Sequence, residues 1–333
     1  MKMSGLKRIV AVGLVVFLGT SVSGCGSSSG GSGEKVVLKA GFSTGESDPR
    51  VVATQMFKEE VEKGTEGRVT IEIHADGELG SDADLISSIV NDDGKVDITA
   101  SSAGNFSSYS ANVGISALPF LFENFEKAWE FVDGDVEKQA EQELEDYNIK
   151  VLGHYDNGFR CVTTSNKAVN SVADMDGLVI RIPENQVVMQ TMLALGAKPK
   201  VLEFTELYDA LKKGDFDAQE NPVPVILNNN LYEVQKYLSI TNHSYDVMLF
   251  VIGQDDWDDI SEEDQKVMEE AIKKAQEENR KLVKKQTEDY IKELENKGMT
   301  VTNPDLAEFK EATKDVADTF KGTFDEDLLS KVK

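Results

Sequence analysis

The chain has 333 residues, with 60 Asp and Glu against 35 Lys and Arg, for a net charge of −25. So acidic a chain lacks the basic patch that phosphate neutralisation needs, which excludes nucleic acid as a partner, and its length suffices for two domains. Two cysteines, Cys25 and Cys161, and three isolated histidines, His74, His154 and His243, give no Cys/His zinc spacing. No metal, cofactor or intrachain disulfide in the folded part is expected.

Residues 1–24 read as a leader rather than part of the fold. Lys2, Lys7 and Arg8 form a positive start, and Ile9 to Leu18 an apolar core too short to span a bilayer comfortably. The segment ends Val22-Ser23-Gly24-Cys25, which looks like a lipobox: small residues before a cysteine that is lipidated and becomes the mature N-terminus. Residues 25–34, from Cys25 through Gly26-Ser27-Ser28-Ser29-Gly30-Gly31-Ser32-Gly33, read as a flexible Gly/Ser tether between a lipid anchor and a folded domain.

Strand and helix signals then alternate. Val36–Ala40 reads as a strand, Pro49–Lys63 as a helix, and Arg68–Ile73 as a strand of period two. Ser81 opens a helix carrying Leu85, Ile86 and Ile89, and Val96–Ala100 is the next strand. This βαβαβ order points to a largely parallel sheet with helices on its faces. After the first strand, Gly41-Phe42-Ser43-Thr44-Gly45 fits the nucleophile elbow of hydrolases, with His154 or His243 as conceivable base. The elbow normally follows several central strands, and no His-Gly-Gly oxyanion segment is present. The expectation is a protein that is not an enzyme, with a Ser43 hydrolase as the alternative.

Two arginines stand in short apolar segments, Asn157-Gly158-Phe159-Arg160-Cys161-Val162-Thr163 and Leu178-Val179-Ile180-Arg181-Ile182-Pro183, at expected strand ends. The planar guanidinium suits two-point binding of a carboxylate. Structural ion pairs with local acids are the other reading of the same residues. The strand–helix pattern then recurs: a strand over 178–182, a helix from Glu184 to Leu195 stopped by Gly196, a short strand at Lys200-Val201-Leu202, a helix capped by Thr205, and a strand at Phe216-Asp217-Ala218. Ser81 to Asp97 and Thr205 to Asp217 match as capped helix, glycine stop, apolar residue and aspartate. Two lobes of like topology facing each other make a cleft beyond the carboxyl ends of their strands. Ser261 begins a long polar helix that reaches Lys297; its apolar positions do not hold the heptad of a coiled coil.

From Asn157 to His243 the chain resembles the substrate-binding proteins of TRAP transporters, the DctP type. The resemblance rests on an ordered set: Asn157-Gly158-Phe159-Arg160, Ala173 to Pro183, Leu195-Gly196-Ala197-Lys198-Pro199, Phe204 to Leu211, Asp217-Ala218-Gln219-Glu220-Asn221-Pro222, and Tyr232 to Leu238 ending Thr241-Asn242-His243. Gly77-Glu78-Leu79-Gly80 and Leu118-Pro119-Phe120 extend it over essentially all of residues 35–330.

The resemblance implies an α/β periplasmic-binding-protein-like fold of two lobes, 35–158 plus 247–286 and 159–246 plus 287–333, joined by crossing strands and a long bridging C-terminal helix. It implies a monomeric extracytoplasmic protein, held at the membrane through Cys25, that delivers a small organic acid to the membrane subunits of a TRAP-type carrier. A ligand-sensing adaptor would share fold and site. The family's carboxylate-binding arginine falls on Arg181, a second arginine on Arg160, a side-chain amide on Asn221 and an aromatic wall on Phe204. Ser43, Asp82 and Ser101 fall where the other lobe contributes contacts. Hydroxyls and acids there favour a sugar acid such as a uronate over a C4-dicarboxylate.

Overall fold

The computed structural model describes residues 35–332; the expected leader, Cys25 and the tether up to residue 34 lie outside the described residues. Among the described residues nine strands make one sheet. The first half supplies β1 (Val36–Gly41), α1 (Pro49–Gly64), β2 (Val69–His74), α2 (Asp82–Asn91) and β3 (Ile98–Ser102). Short helices α3 (Phe125–Val132) and α4 (Asp135–Glu141) lead into the long β4 (Ile149–Thr164). The second half repeats the pattern with β5 (Val179–Ile182), α5 (Gln186–Ala194), β6 (Lys198–Val201), α6 (Leu207–Lys213) and β7 (Ala218–Pro222). The short α7 (Val223–Asn228) then leads to the long β8 (Tyr237–Gly253).

Strand order is β2-β1-β3-β8-β4-β7-β5-β6, and the ninth strand, β9 (Thr300–Thr302), pairs with β8 in parallel off this path. Each outer trio is parallel, and the trios meet β8 and β4 antiparallel. The fold class expected from the sequence is thus present: two βαβαβ units flanked by helices, with β4 and β8 crossing between them.

The two units close their third strand in the same way. The Asp97 carboxylate accepts the Lys39 backbone N–H at 2.7 Å while its own N–H donates to the Lys39 carbonyl at 2.9 Å. Asp217 repeats this on Val179 at 3.0 and 2.9 Å. The matching aspartates of the sequence repeat are therefore matching latches between first and third strands.

Details of the repeat differ from expectation. Ser81 does cap α2, in a capping box with Asp84. Thr205 caps nothing: it lies in a 3-10 turn over Phe204–Glu206, and Glu206 is the residue before α6. Helix α2 ends on Asp92 in the left-handed conformation, two residues before Gly94, whereas α6 ends on Gly214 as the glycine rule requires. The last strand of the second unit runs over 218–222 rather than 216–218, so Glu220 and Asn221 are strand residues with ladder partners on β4.

After the short α8 (Gln254–Asp258), the long helix is α9 (Glu262–Asn296), capped by Ser261; its 35 residues span about 50 Å. Met268, Ala271, Ile272 and Ala275 pack with Phe57 and Val61 in the core of the first half, and Leu294 with Leu207, Leu211 and Ile226 in that of the second. One helix thus braces both units. The segment 287–333, expected wholly in the second lobe, divides. Phe309 packs with Val162 and Ile180, but Val316, Phe320, Phe324, Leu328 and Leu329 join Leu85, Phe106 and Val113 of the first half. No helix of the described residues is long and apolar enough to cross a membrane.

Candidate functional site

The cleft lies between the two units, with about 640 Å³ of empty space, its open mouth included. β4, β5 and β7 bring Arg160, Arg181 and Asn221 to one wall. The loop after β1, the N-terminus of α2 and the end of β3 bring Ser43, Asp82 and Ser102 to the other. The walls also touch directly: Asn228 Nδ2 donates to the Ser47 carbonyl at 3.2 Å, and Gly104 leaves no room for a Cβ against the Asn185 amide. The two walls are thus in contact beside the cleft.

The two arginines are both buried, at 4% and 2% exposed, yet their surroundings are opposite. Arg160 lies well inside β4 rather than at its end. Its Nε donates to Glu220 Oε2 at 2.5 Å, Nη2 to Glu220 Oε1 and the Glu220 carbonyl at 2.8 Å and to Asn221 Oδ1 at 3.2 Å, and Nη1 to Asp246. The Asp246 carboxylate also accepts from Asn157 Nδ2 at 2.8 Å and from the Ser102 hydroxyl at 2.5 Å, tying β4 and β8 to β3. Burial alone would push the Glu220 carboxyl up. Arg160 outweighs that and, with His243, brings it down to about 2.

Among the described residues Arg181 has no carboxylate in salt-bridge reach. Its Nε and Nη2 both donate to one carbonyl, that of Leu202, at 2.8 and 2.5 Å, and its Cζ lies 5.9 Å from the centre of the Phe204 ring. Burial pushes its pKa down to about 10; Glu220 offsets part of this and the charge of Arg160 adds to it. It remains a cation at neutral pH. A buried charge is costly unless paired, and the space beside this one is the cleft.

The other predicted residues divide. Asn221 lines the cleft, its Oδ1 on Arg160 and its Nδ2 on Gln219 at 2.6 Å. Phe204 lines it too. The Ser43 hydroxyl donates to Asp82 Oδ2 at 2.9 Å, while Asp82 Oδ1 is buried without a partner. Ser101 is the exception. It is fully buried away from the wall, accepting from Asn105 Nδ2 at 2.8 Å, and its neighbour Ser102 lines the cleft with Asn105. On a strand, adjacent residues face opposite ways, so a one-residue error reverses the face.

Arg50, Ser102, Asn105, Asn157, Glu203 and Asp246 complete the wall and were not singled out from the sequence. Asp48-Pro49-Arg50 carried a legible signal, an Asp N-cap before Pro at the first helical position, but one that speaks of helix α1 and not of a cleft. The two histidines offered as base in the hydrolase alternative are held by other partners. His243 is engaged by Thr241 and Glu220 and His154 by Glu141, and neither bonds Ser43.

Comparison with known proteins bears on the same region. Residues 40–323 match the family model DctP, bacterial extracellular solute-binding protein, family 7. The chain is 31% identical over 276 residues to the 2,3-diketo-L-gulonate-binding periplasmic protein YiaO of Escherichia coli K12, covering 83% of this chain and 84% of that protein. A TRAP periplasmic solute-binding protein from Polaromonas sp. JS666, solved with D-erythronate, superimposes with a TM-score of 0.86 at 31% identity, covering 90% of this chain and 98% of the other. The sugar acid binding protein DctPAm of Advenella mimigardefordensis, solved with galactonate, gives 0.86 at 28% identity, over 90% and 97%.

Proposed function

The chain belongs to the bacterial extracellular solute-binding proteins of family 7, the DctP type of the TRAP transporters, and on that premise we propose that it is a lipoprotein that binds an organic acid and delivers it to the membrane subunits of a TRAP-type carrier. Arg181 holds the carboxylate through its guanidinium fork. Asn221 and Phe204 complete that end of the site, Arg160 fixes the wall beside it, and Asp82 and Ser43 face the rest of the ligand. A sugar acid is favoured over a C4-dicarboxylate, because hydroxyls and acids line the first-half wall. The erythronate and galactonate of the similar structures agree with that preference. Residues 35–158 with 247–286, and 159–246 with the segment from 287 through Phe309, act as the lobes that close on the ligand.

The observation that carries the reading is Arg181: a guanidinium buried on a cleft wall, its only acceptor among the described residues one backbone carbonyl. Thermal-shift screening against organic acids identifies the ligand, and calorimetry on Arg181→Lys tests the contact. Lysine keeps the charge and loses the fork, so affinity falls at least tenfold, which is about 1.4 kcal/mol. Unchanged affinity overturns the assignment.

The anchor is tested separately. Cys25→Ser leaves ligand affinity intact and moves the protein from the membrane fraction into the soluble one, or stalls its processing. Normal cleavage with undiminished membrane partition overturns the lipoprotein reading.

A further inference from the structure

Arg50 has no part in the reading above, yet it stands on the cleft wall. It is the second residue of α1 and only 5% exposed. Asp48, the N-cap of that helix, accepts both the Arg50 backbone N–H at 2.9 Å and its Nε at 3.0 Å through one oxygen, which locks the direction of the side chain. Nη1 makes one long bond to the Ala100 carbonyl at 3.4 Å, and Nη2 makes no hydrogen bond among the described residues. The Arg50 guanidinium is thus neutralised but not saturated: Asp48 balances its charge and leaves the Nη edge unspent.

On the same wall Asp82 has the complementary deficit. Its Oδ2 accepts from Ser43, and its Oδ1 is buried with nothing to accept from. Asp48, Asp82 and Asp246 are the acids whose charge reaches Arg50. One unspent donor edge and one unspent acceptor therefore share the wall facing Arg181. A buried acceptor such as Asp82 Oδ1 is rarely left in this state. An alkyl group satisfies neither. A second carboxylate could accept from Arg50, but it has no proton for Asp82 and would meet the charge of Asp82 and Asp246. A hydroxyl satisfies both, giving its proton to Asp82 Oδ1 and a lone pair to Arg50.

Resting on the reading that Arg181 takes the ligand carboxylate, we infer that Arg50 and Asp82 together read a hydroxyl across the cleft, so that the site takes polyhydroxylated monocarboxylates and rejects dicarboxylates. Arg50 is then a specificity residue, and Asp48 positions it.

The test is calorimetry with D-erythronate, D-galactonate and L-gulonate, with succinate measured by displacement, on the wild type, Arg50→Lys, Asp82→Asn and Arg181→Lys. The wild type binds at least one of the aldonates ten times or more tighter than succinate. Lysine cannot reach Asp48 and the cleft together, so Arg50→Lys lowers the aldonate-to-succinate preference at least fivefold. Asp82→Asn lowers it too, and reports independently if the lysine variant folds poorly. A preference unchanged in both variants, or succinate binding tighter than every aldonate, overturns the inference and leaves the reading standing if Arg181→Lys weakens all the acids. Failure to bind any acid of the set overturns the reading and the inference with it.

Discussion

The two halves of the molecule are built alike and charged differently. Each is a parallel trio whose third strand is latched to its first by an aspartate, Asp97 in one and Asp217 in the other. Yet the second half carries two arginines to the cleft, one saturated by Glu220 and Asp246 and one left without an acid. The first half brings a single arginine already balanced by Asp48, among serines and acids. Backbone symmetry therefore says nothing about binding polarity. The repeated unit supplies two equivalent platforms, and in the proposed function the side chains beyond the strand ends make one an anchor for negative charge and the other a reader of neutral polar groups.

The largest effect that would break this comparison is in the paired arginine. Arg160→Met removes one member of a fully buried cluster and leaves Glu220 and Asp246 as uncompensated charges, so unfolding in denaturant becomes easier by about 3–5 kcal/mol. A cost under about 1 kcal/mol would mean that the cluster is not structural. Acid sharpens the point. Glu220 is held at about 2, below its unfolded value of about 4.3. Its contribution is therefore full above that unfolded value and is lost as pH falls towards 2. Glu220→Gln removes this slope, so the difference in stability between wild type and variant shrinks as pH falls from about 4 towards 2.

Arg181 should behave in the opposite sense. Arg181→Met deletes a buried charge that no carboxylate balances, so the ligand-free protein keeps its melting temperature or gains a few degrees while ligand binding falls by more than tenfold. Paired melts and titrations of the two methionine variants check this. If both lose stability alike, the distinction between a structural and a binding arginine fails.

Much of this was legible in the sequence where local chemistry decides. Period-two and helical patterns gave β1, α1, β2 and α2, and Ser81 and Ser261 marked helix starts that are capped as expected. The long crossing strands were not legible from pattern. Nearly every residue from Gly153 to Thr164 is buried, and a strand covered on both faces loses its alternation. The pairing of Arg160 was hidden for another reason: its partners are 60 and 86 residues away, brought in by β7 and β8. The Ser101 expectation missed by a single residue on the strand: Ser101 packs inward, and its neighbour Ser102, on the opposite face, turns to the cleft.

The smallest effect tests whether the two platforms are as equivalent as their backbones. Asp97 and Asp217 make the same pair of bonds, but Asp97 is buried and Asp217 only partly so. Burial pushes the Asp97 carboxyl above its usual value, in spite of the Lys39 N–H and ammonium that favour its charge. A raised carboxyl contributes stability that is full below its unfolded value of about 3.9 and is lost as pH rises through the folded one. At neutral pH the Asp97 latch therefore works against the cost of its own buried charge. Asn keeps an acceptor for the strand N–H and removes only the charge assistance, so Asp217→Asn should cost about 1 kcal/mol at pH 7. Asp97→Asn should cost measurably less, and its deficit should be larger at pH 4 relative to Asp217→Asn than a common latch would give only if the asparagine fails to replace the protonated acid. Denaturant melts of both variants at pH 4 and pH 7 decide it. Equal costs at pH 7 would show that burial does not distinguish the latches, and a larger cost for Asp97→Asn there would overturn the argument.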